Sequence, residues 1–264
     1  MHMITDLGGP GGVPARHPGT RLVASIDVEW SKNYRIKNGN QAFCYSIVWL
    51  TMPTSGDSSP MLLDTARLPI ACTSLYLDSD AERGDLVAAA AADIAAATEA
   101  ADLITGHQLC SDLAVLTANA GPRPPAALLA ARQAWHDRRT DEARQVLDTR
   151  FDTDHLLFGR SRRLVDVCGE LDLDVTQPEL ARQSMTALHR DWLTHHDVEA
   201  RERITVLNLR HSLSTALVGL RAAGDLNWPK PVNVNRMIAT ALAGRVGWLD
   251  HPIFRALHVA RQAS

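Results

Sequence analysis

The chain has 264 residues, 45% apolar and 22% charged, an ordinary globular composition with length enough to bury a substantial core. A formal net charge of −3 excludes a strongly basic surface that would coat nucleic acid indifferently, although a local basic groove stays open. No apolar run approaches the length of a membrane span. Cys44, Cys72, Cys110 and Cys168 form no CxxC pair, which argues against structural zinc and for reduced thiols in a cytoplasmic protein.

In chain order, no charged-then-apolar leader is read ahead of the fold, and Met1-His2-Met3 reads as a cloning remnant with Met3 as the native start. Residues 1–20, rich in Gly and Pro, read as a flexible amino-terminal tail. Arg21 to Val28 alternates and is rich in branched apolar residues, which predicts a buried strand. Lys32 to Asn40 is polar, with a turn signal at Asn38-Gly39, so Ala42 to Thr51 should return antiparallel to the first strand. Pro60 to Pro69 supplies a third strand near an edge. Alanine-rich Asp80 to Ala100 predicts a helix.

Leu103 to Gly106 is a short buried-strand candidate, followed by a helix over Ser111–Asn119. Gly121-Pro122-Arg123-Pro124-Pro125 breaks the chain before a helix at Ala126–Arg139, within an insertion of about residues 121–145. Gln145 to Thr149 reads as another strand. Helical patterning then dominates: Ser161–Leu171, Pro178–His195, Val198–Ala223 and Val234–Gly244. The fold class is α/β, a mixed sheet flanked by helices with a helical second half. Residues 225–264 form a helical extension whose Trp248, Ile253, Phe254 and Leu257 cap the core. Oligomeric state is not legible.

Asp27 and Glu29 carry the first chemical signal. Side chains two apart on a strand share a face, so both carboxylates leave the strand end side by side. Paired carboxylates repel and are costly to desolvate, and a hard divalent cation makes such a pair favourable. Two solvated acids at a strand exit are the alternative. The second signal is Leu103-Ile-Thr-Gly-His-Gln-Leu-Cys-Ser-Asp-Leu-Ala-Val-Leu116, in which a strand runs into Gly106-His107-Gln108 and Asp112 opens a helix. Capping and the helix dipole explain an acid there, but not the whole string.

Asp-x-Glu on a first strand, followed by Gly-His-Gln-x-x-x-Asp before a helix, resembles the DEDD superfamily of 3′–5′ exonucleases (proofreading, RNase D-like and oligoribonuclease-like enzymes). Val146-Leu-Asp-Thr-Arg150 and the leucine-spaced Arg163–Leu173 resemble the family's segments before the third motif, and the resemblance spans about Leu22 to Leu220. It implies a ribonuclease H-like fold and two Mg²⁺ or Mn²⁺ ions between four carboxylates. Asp27 would bridge both ions, Glu29 would bind the water-activating one, and Asp112 would help to complete the shell.

The third motif departs from the family. Matching Ser-Leu-x-x-Ala within Ile204–Val218 puts Thr215 at the position of the last Asp, His211 at the Tyr position of one variant and Arg210 at the His position of the other. No acid lies between Ile204 and Ala223. His211 is then the candidate general base. Should that register be wrong, Asp191 or Asp197 would have to supply the missing carboxylate. Trp30, His107, Gln108, Arg210 and Thr215 are the candidate substrate-binding residues.

The arginine groups Arg160-Arg162-Arg163 and Arg201-Arg203-Arg210 suit either phosphate tracking or surface ion pairs. His189, His195, His196 and His211 lack the i, i+4 spacing of a helical zinc pair and read as solvated. The function implied is metal-dependent 3′–5′ hydrolysis of single-stranded DNA or short RNA, with the 3′ end of a strand as partner and no membrane. The alternative is a catalytically impaired exonuclease-like domain that binds nucleic acid or a protein.

Overall fold

In a computed structural model, which describes residues 1–33, 39–54, 59–143 and 145–258, the chain is a mixed α/β protein built on one six-stranded sheet. Its strands are β1 (His2–Thr5), β2 (Thr20–Asn33), β3 (Gly39–Pro53), β5 (Ile70–Tyr76), β6 (Leu103–Gly106) and β7 (Val146–Asp148); β4 (Met61–Leu62) lies outside that sheet. The order across the sheet is β1-β5-β3-β2-β6-β7. β2 is the hinge of this arrangement: its partner β3 is antiparallel, its partner β6 is parallel, and β7 continues the parallel side.

The helices are α1 (Arg83–Ala100), α2 (Leu109–Asn119), α3 (Ala126–Asp137), α4 (Leu164–Glu170), α5 (Met185–His195), α6 (Val198–Ala222) and α7 (Val234–Ala241). Alternation along β2 sends Leu22, Ala24, Ile26 and Val28 into a core completed by α1 and α2, and Val23 into a core completed by α6. Asp27 and Glu29 share Val23's parity and therefore face α6. Such burial stabilises by roughly 1.5–3 kcal/mol per large apolar side chain. α6 is buried along most of its length and lies directly on the sheet. Gly219 permits this approach, since a Cβ there would sit 2.4 Å from Thr105 Cγ2. Deeper along the contact, the Ser46 and Ser212 hydroxyls bond at 2.7 Å.

Three expectations are corrected. The amino-terminal segment is not a free tail: β1 pairs antiparallel with β5, Ile4 is buried, and the Gly11 N–H donates to Asp93 at 2.6 Å. The open edge of β5 offers hydrogen bonds that outweigh the Gly-Pro signal nearby. The third strand is Ile70–Tyr76 rather than Pro60–Pro69, of which only Met61–Leu62 is extended, pairing with Leu226–Asn227. The helix expected at Pro178–His195 is a 3₁₀ turn at Pro178–Leu180 followed by α5, which Ser184 caps by accepting from the Ala187 N–H.

The turn expected at Asn38-Gly39 borders residues 34–38, outside the described residues. α3 forms within the expected insertion, and Trp248 and Phe254 of the carboxy-terminal extension are buried in the core, while Ile253 is exposed. Among the described residues no helix is long and apolar enough to cross a membrane.

Candidate metal centre

β2 and β3 keep register from Thr20↔Pro53 to Glu29↔Cys44, after which Trp30 faces Ala42. Phe43 is thus the extra residue of a β-bulge, which twists the strand pair beside the acids; these stand within the strand and not at its end, since β2 continues to Asn33. Asp27 and Glu29 are both buried. They form one cluster with His211 of α6, in which a ligand atom from each lies within 4.8 Å of the others. At that separation two bare carboxylates repel by about 3–4 kcal/mol at an effective dielectric of about 20. Burial, and then the charge of Asp27, raise the Glu29 carboxyl above its ordinary value.

α6 supplies what offsets this repulsion. His211 Nδ1 lies 3.1 Å from Glu29 Oε1 and 3.6 Å from Asp27 Oδ2. Burial disfavours the imidazolium, but its hydrogen bonds to both acids and their charges outweigh that cost and hold His211 up at about 10. The other ring nitrogen, Nε2, bonds the Gln177 side-chain amide at 2.9 Å. One turn earlier, fully buried Asn208 donates from Nδ2 to Asp27 Oδ2 at 2.6 Å and accepts from the Cys44 thiol at 3.6 Å. Asn208 and Gln177 escape a reading built on acid motifs. The signal for Asn208 was its i−3 spacing from His211, which puts both on one helical face.

Asp112 opens α2, and one of its buried oxygens, Oδ2, has no hydrogen-bond partner. Burial raises its carboxyl well above the ordinary value, and the charges of Asp27, Glu29 and Asp148 add to the shift, partly offset by a hydrogen bond from Trp30. Asp112 therefore senses the acid pair while standing outside the three-residue cluster. Trp30 is half-buried and packs against the core. Gln108 adopts a left-handed conformation (φ 64°) that turns the chain into α2; its N–H donates to Asp148 Oδ1 at 2.9 Å and its side chain to Ser111 at 2.7 Å. His107 uses both ring nitrogens, on Thr149 Oγ1 at 3.0 Å and on the Arg162 carbonyl at 2.9 Å. Burial pushes it down to about 4, so it is neutral near pH 7.

Several candidate residues stand elsewhere. Arg210 is fully buried and forms a two-pronged ion pair with Glu179 at 2.8 and 2.6 Å, with Nε donating to Asn235 at 2.6 Å. It anchors the carboxy-terminal extension and cannot meet a substrate, because its position on the helix turns it away from the acids. Thr215 follows His211 by one turn and is buried with its hydroxyl unpartnered. It is His211, not Thr215, that meets the acid pair. Asp197 caps the start of α6, about 21 Å along the axis from His211, and Asp191 accepts from Gln183. Neither supplies a fourth carboxylate. His189, read as solvated, is buried, stacked on Phe43 and bonded to the Tyr76 hydroxyl at 2.9 Å.

The donor set fits a divalent cation: two carboxylates and an imidazole converge, and the unpartnered Asp112 oxygen is a fourth donor nearby. No family model and no curated protein matches this chain.

Proposed function

We propose that the protein is a divalent-metal-dependent 3′–5′ exonuclease of the ribonuclease H-like, DEDD type, with Thr215 standing where the family pattern calls for a fourth acid and His211, one turn earlier, facing the acid pair. The observation that carries this reading is the convergence of Asp27, Glu29 and His211 on the central strand just beyond its pairing with β6. The sheet supports it, with β2 between antiparallel β3 and parallel β6, and so does Asp112 at the start of the helix after β6.

Asp27 and Glu29 would hold a Mg²⁺ or Mn²⁺ ion, with Asp112 as a further oxygen donor. Such an ion supplies Lewis-acid polarisation of a phosphoryl oxygen and a more acidic bound water. Asn208 fixes the rotamer of Asp27. Gln177 bonds His211 Nε2 through its side-chain amide nitrogen at 2.9 Å and leaves Nδ1 to face the acids, as supporting partners of ligating histidines do. Once the Nδ1 proton is released, His211 is free to act as a ligand or a base.

A second reading is favoured by one specific observation. The imidazolium between Glu29 and Asp27 already neutralises the pair, which suits an impaired domain that binds strands without cutting them. A degradation assay separates the two. Single-stranded DNA and RNA labelled at the 5′ end, incubated with Mg²⁺ and then Mn²⁺, should give a stepwise ladder from the 3′ end that Asp27→Asn abolishes. Bound but uncut strands would select the second reading. A ladder of equal strength from Asp27→Asn would refute the assignment of the site.

A further inference from the structure

We propose that the loop from Asp154 to Arg163 is a strand-binding edge beside the acid site, where Phe158 stacks on a base of a single-stranded nucleic acid while Arg160 and Arg163 hold its phosphates. The inference rests on the nuclease-like reading above and names residues that receive the strand.

Phe158 is 102% exposed, well beyond Leu62 at 64% and every other large apolar side chain described. Leaving a phenylalanine in water forgoes roughly 1.5–3 kcal/mol of burial, so the loop has to be held in a shape that displays it. It is so held. The Phe158 and Gly159 N–H groups both donate to Glu170 Oε2 at 2.9 Å. Gly159 makes this approach feasible, since a Cβ there would lie 2.3 Å from Glu170 Oε1. Arg162 closes the other side, donating to the Gly159 carbonyl at 2.7 Å and to Asp154 at 2.8 Å. A backbone pinned from both sides presents the ring without further loss of loop entropy on binding.

The loop connects to the acid site through His107, which feels the charge of Asp27. The Arg162 carbonyl bonds His107 Nε2 at 2.9 Å and Arg150 Nη1 at 3.4 Å. His107 directly follows Gly106, whose partner in the sheet is Ile26, the residue before Asp27.

The charge around Phe158 complements a phosphate backbone. The acids around the loop are already engaged, Asp152 with Arg138, Asp154 with Arg162, Glu170 with the Phe158 and Gly159 N–H groups and Asp166 with the Ser161 hydroxyl. Arg160 is exposed with no ion-pair partner among the described residues, and Arg163 reaches Asp166 only at 3.8 Å. An aromatic ring beside exposed guanidinium groups is how sequence-tolerant single-strand binders work, because every unpaired base offers a π face. A protein-docking hot spot would need an exposed apolar surround, whereas the adjacent Leu156 and Leu157 are partly buried against the core and the exposed neighbours of Phe158 are His155, Gly159 and Arg160.

The test is fluorescence anisotropy with 5′-labelled 12-residue DNA and RNA strands in excess EDTA, so that no strand is cut. Phe158→Ala should raise Kd by about 5- to 100-fold, the range that loss of one base–aromatic stack implies. Phe158→Trp should restore the affinity that Phe158→Ala loses. The Arg160→Ala/Arg163→Ala variant should lower the slope of log Kd against log salt by about 1.4. Unchanged affinity in Phe158→Ala, with wild-type protein that binds strands, overturns this proposal and leaves the nuclease reading standing. Wild-type protein that neither binds nor degrades either strand overturns both.

Discussion

His211→Ala should change how stability depends on pH more than it changes stability at any single pH. In the folded, metal-free protein the imidazolium is held at about 10 between Glu29 and Asp27, against about 6.5 in an unfolded chain. A raised folded value means that the contribution is fully present below pH 6.5 and is lost as pH climbs through about 10. Between those limits the wild-type protein loses about 1.4 kcal/mol per pH unit from this group, up to about 5 kcal/mol in total. The variant lacks that term and leaves two buried carboxylates facing each other. Urea unfolding with EDTA at pH 6, 7, 8, 9 and 10 measures the difference directly, and groups whose surroundings the substitution leaves unchanged cancel. The wild-type advantage should be largest near pH 6 and shrink steadily toward pH 10. Parallel stability curves from pH 7 to 10 would refute the argument that His211 neutralises the pair.

Three further outcomes follow from the same geometry. Glu29→Gln removes the carboxylate repulsion, so the metal-free protein should melt at equal or higher temperature while losing any stabilisation by Mn²⁺, both visible in melting curves with and without the ion. Asp93 is buried and raised to about 6, chiefly by desolvation, so its contribution is present below pH 3.8 and lost as pH rises through 6. Asp93→Asn should flatten that dependence and stabilise the protein at pH 7 by up to about 3 kcal/mol in denaturant titrations. Arg210→Ala strands the Glu179 carboxylate in the core and should cost about 3–5 kcal/mol of stability. Calorimetry at a temperature where that variant is folded should find Mn²⁺ affinity unchanged, as expected of an anchor outside the site.

The parts of the site legible in the sequence are those with a short-range geometric rule. Asp27 and Glu29 share a face because a strand repeats every two residues, and Asp112 opens a helix because the strand before it ends at Gly106. His211 and Thr215 also share a face, but helical spacing says nothing about depth; only the packing of α6 on the sheet puts the first beside the acids and the second in the core. Arg210 looked like a phosphate ligand because the sequence does not reveal Glu179 opposite it, 31 residues away. β1 was hidden for a related reason, since four residues ahead of a Gly-Pro stretch become a strand only through the open edge of β5. The display of Phe158 depends on Glu170 folding back onto the loop, a contact that no local pattern announces.

The central claim is that Asp27, Glu29 and His211 hold a divalent cation. Anomalous diffraction from crystals soaked in Mn²⁺ at pH 8 tests it most directly. The expected result is a peak ligated by both carboxylates and facing His211 Nδ1, with the imidazole no longer bonded to Glu29. Density that leaves His211 in its 3.1 Å contact with Glu29, with no ion at millimolar Mn²⁺, would contradict it.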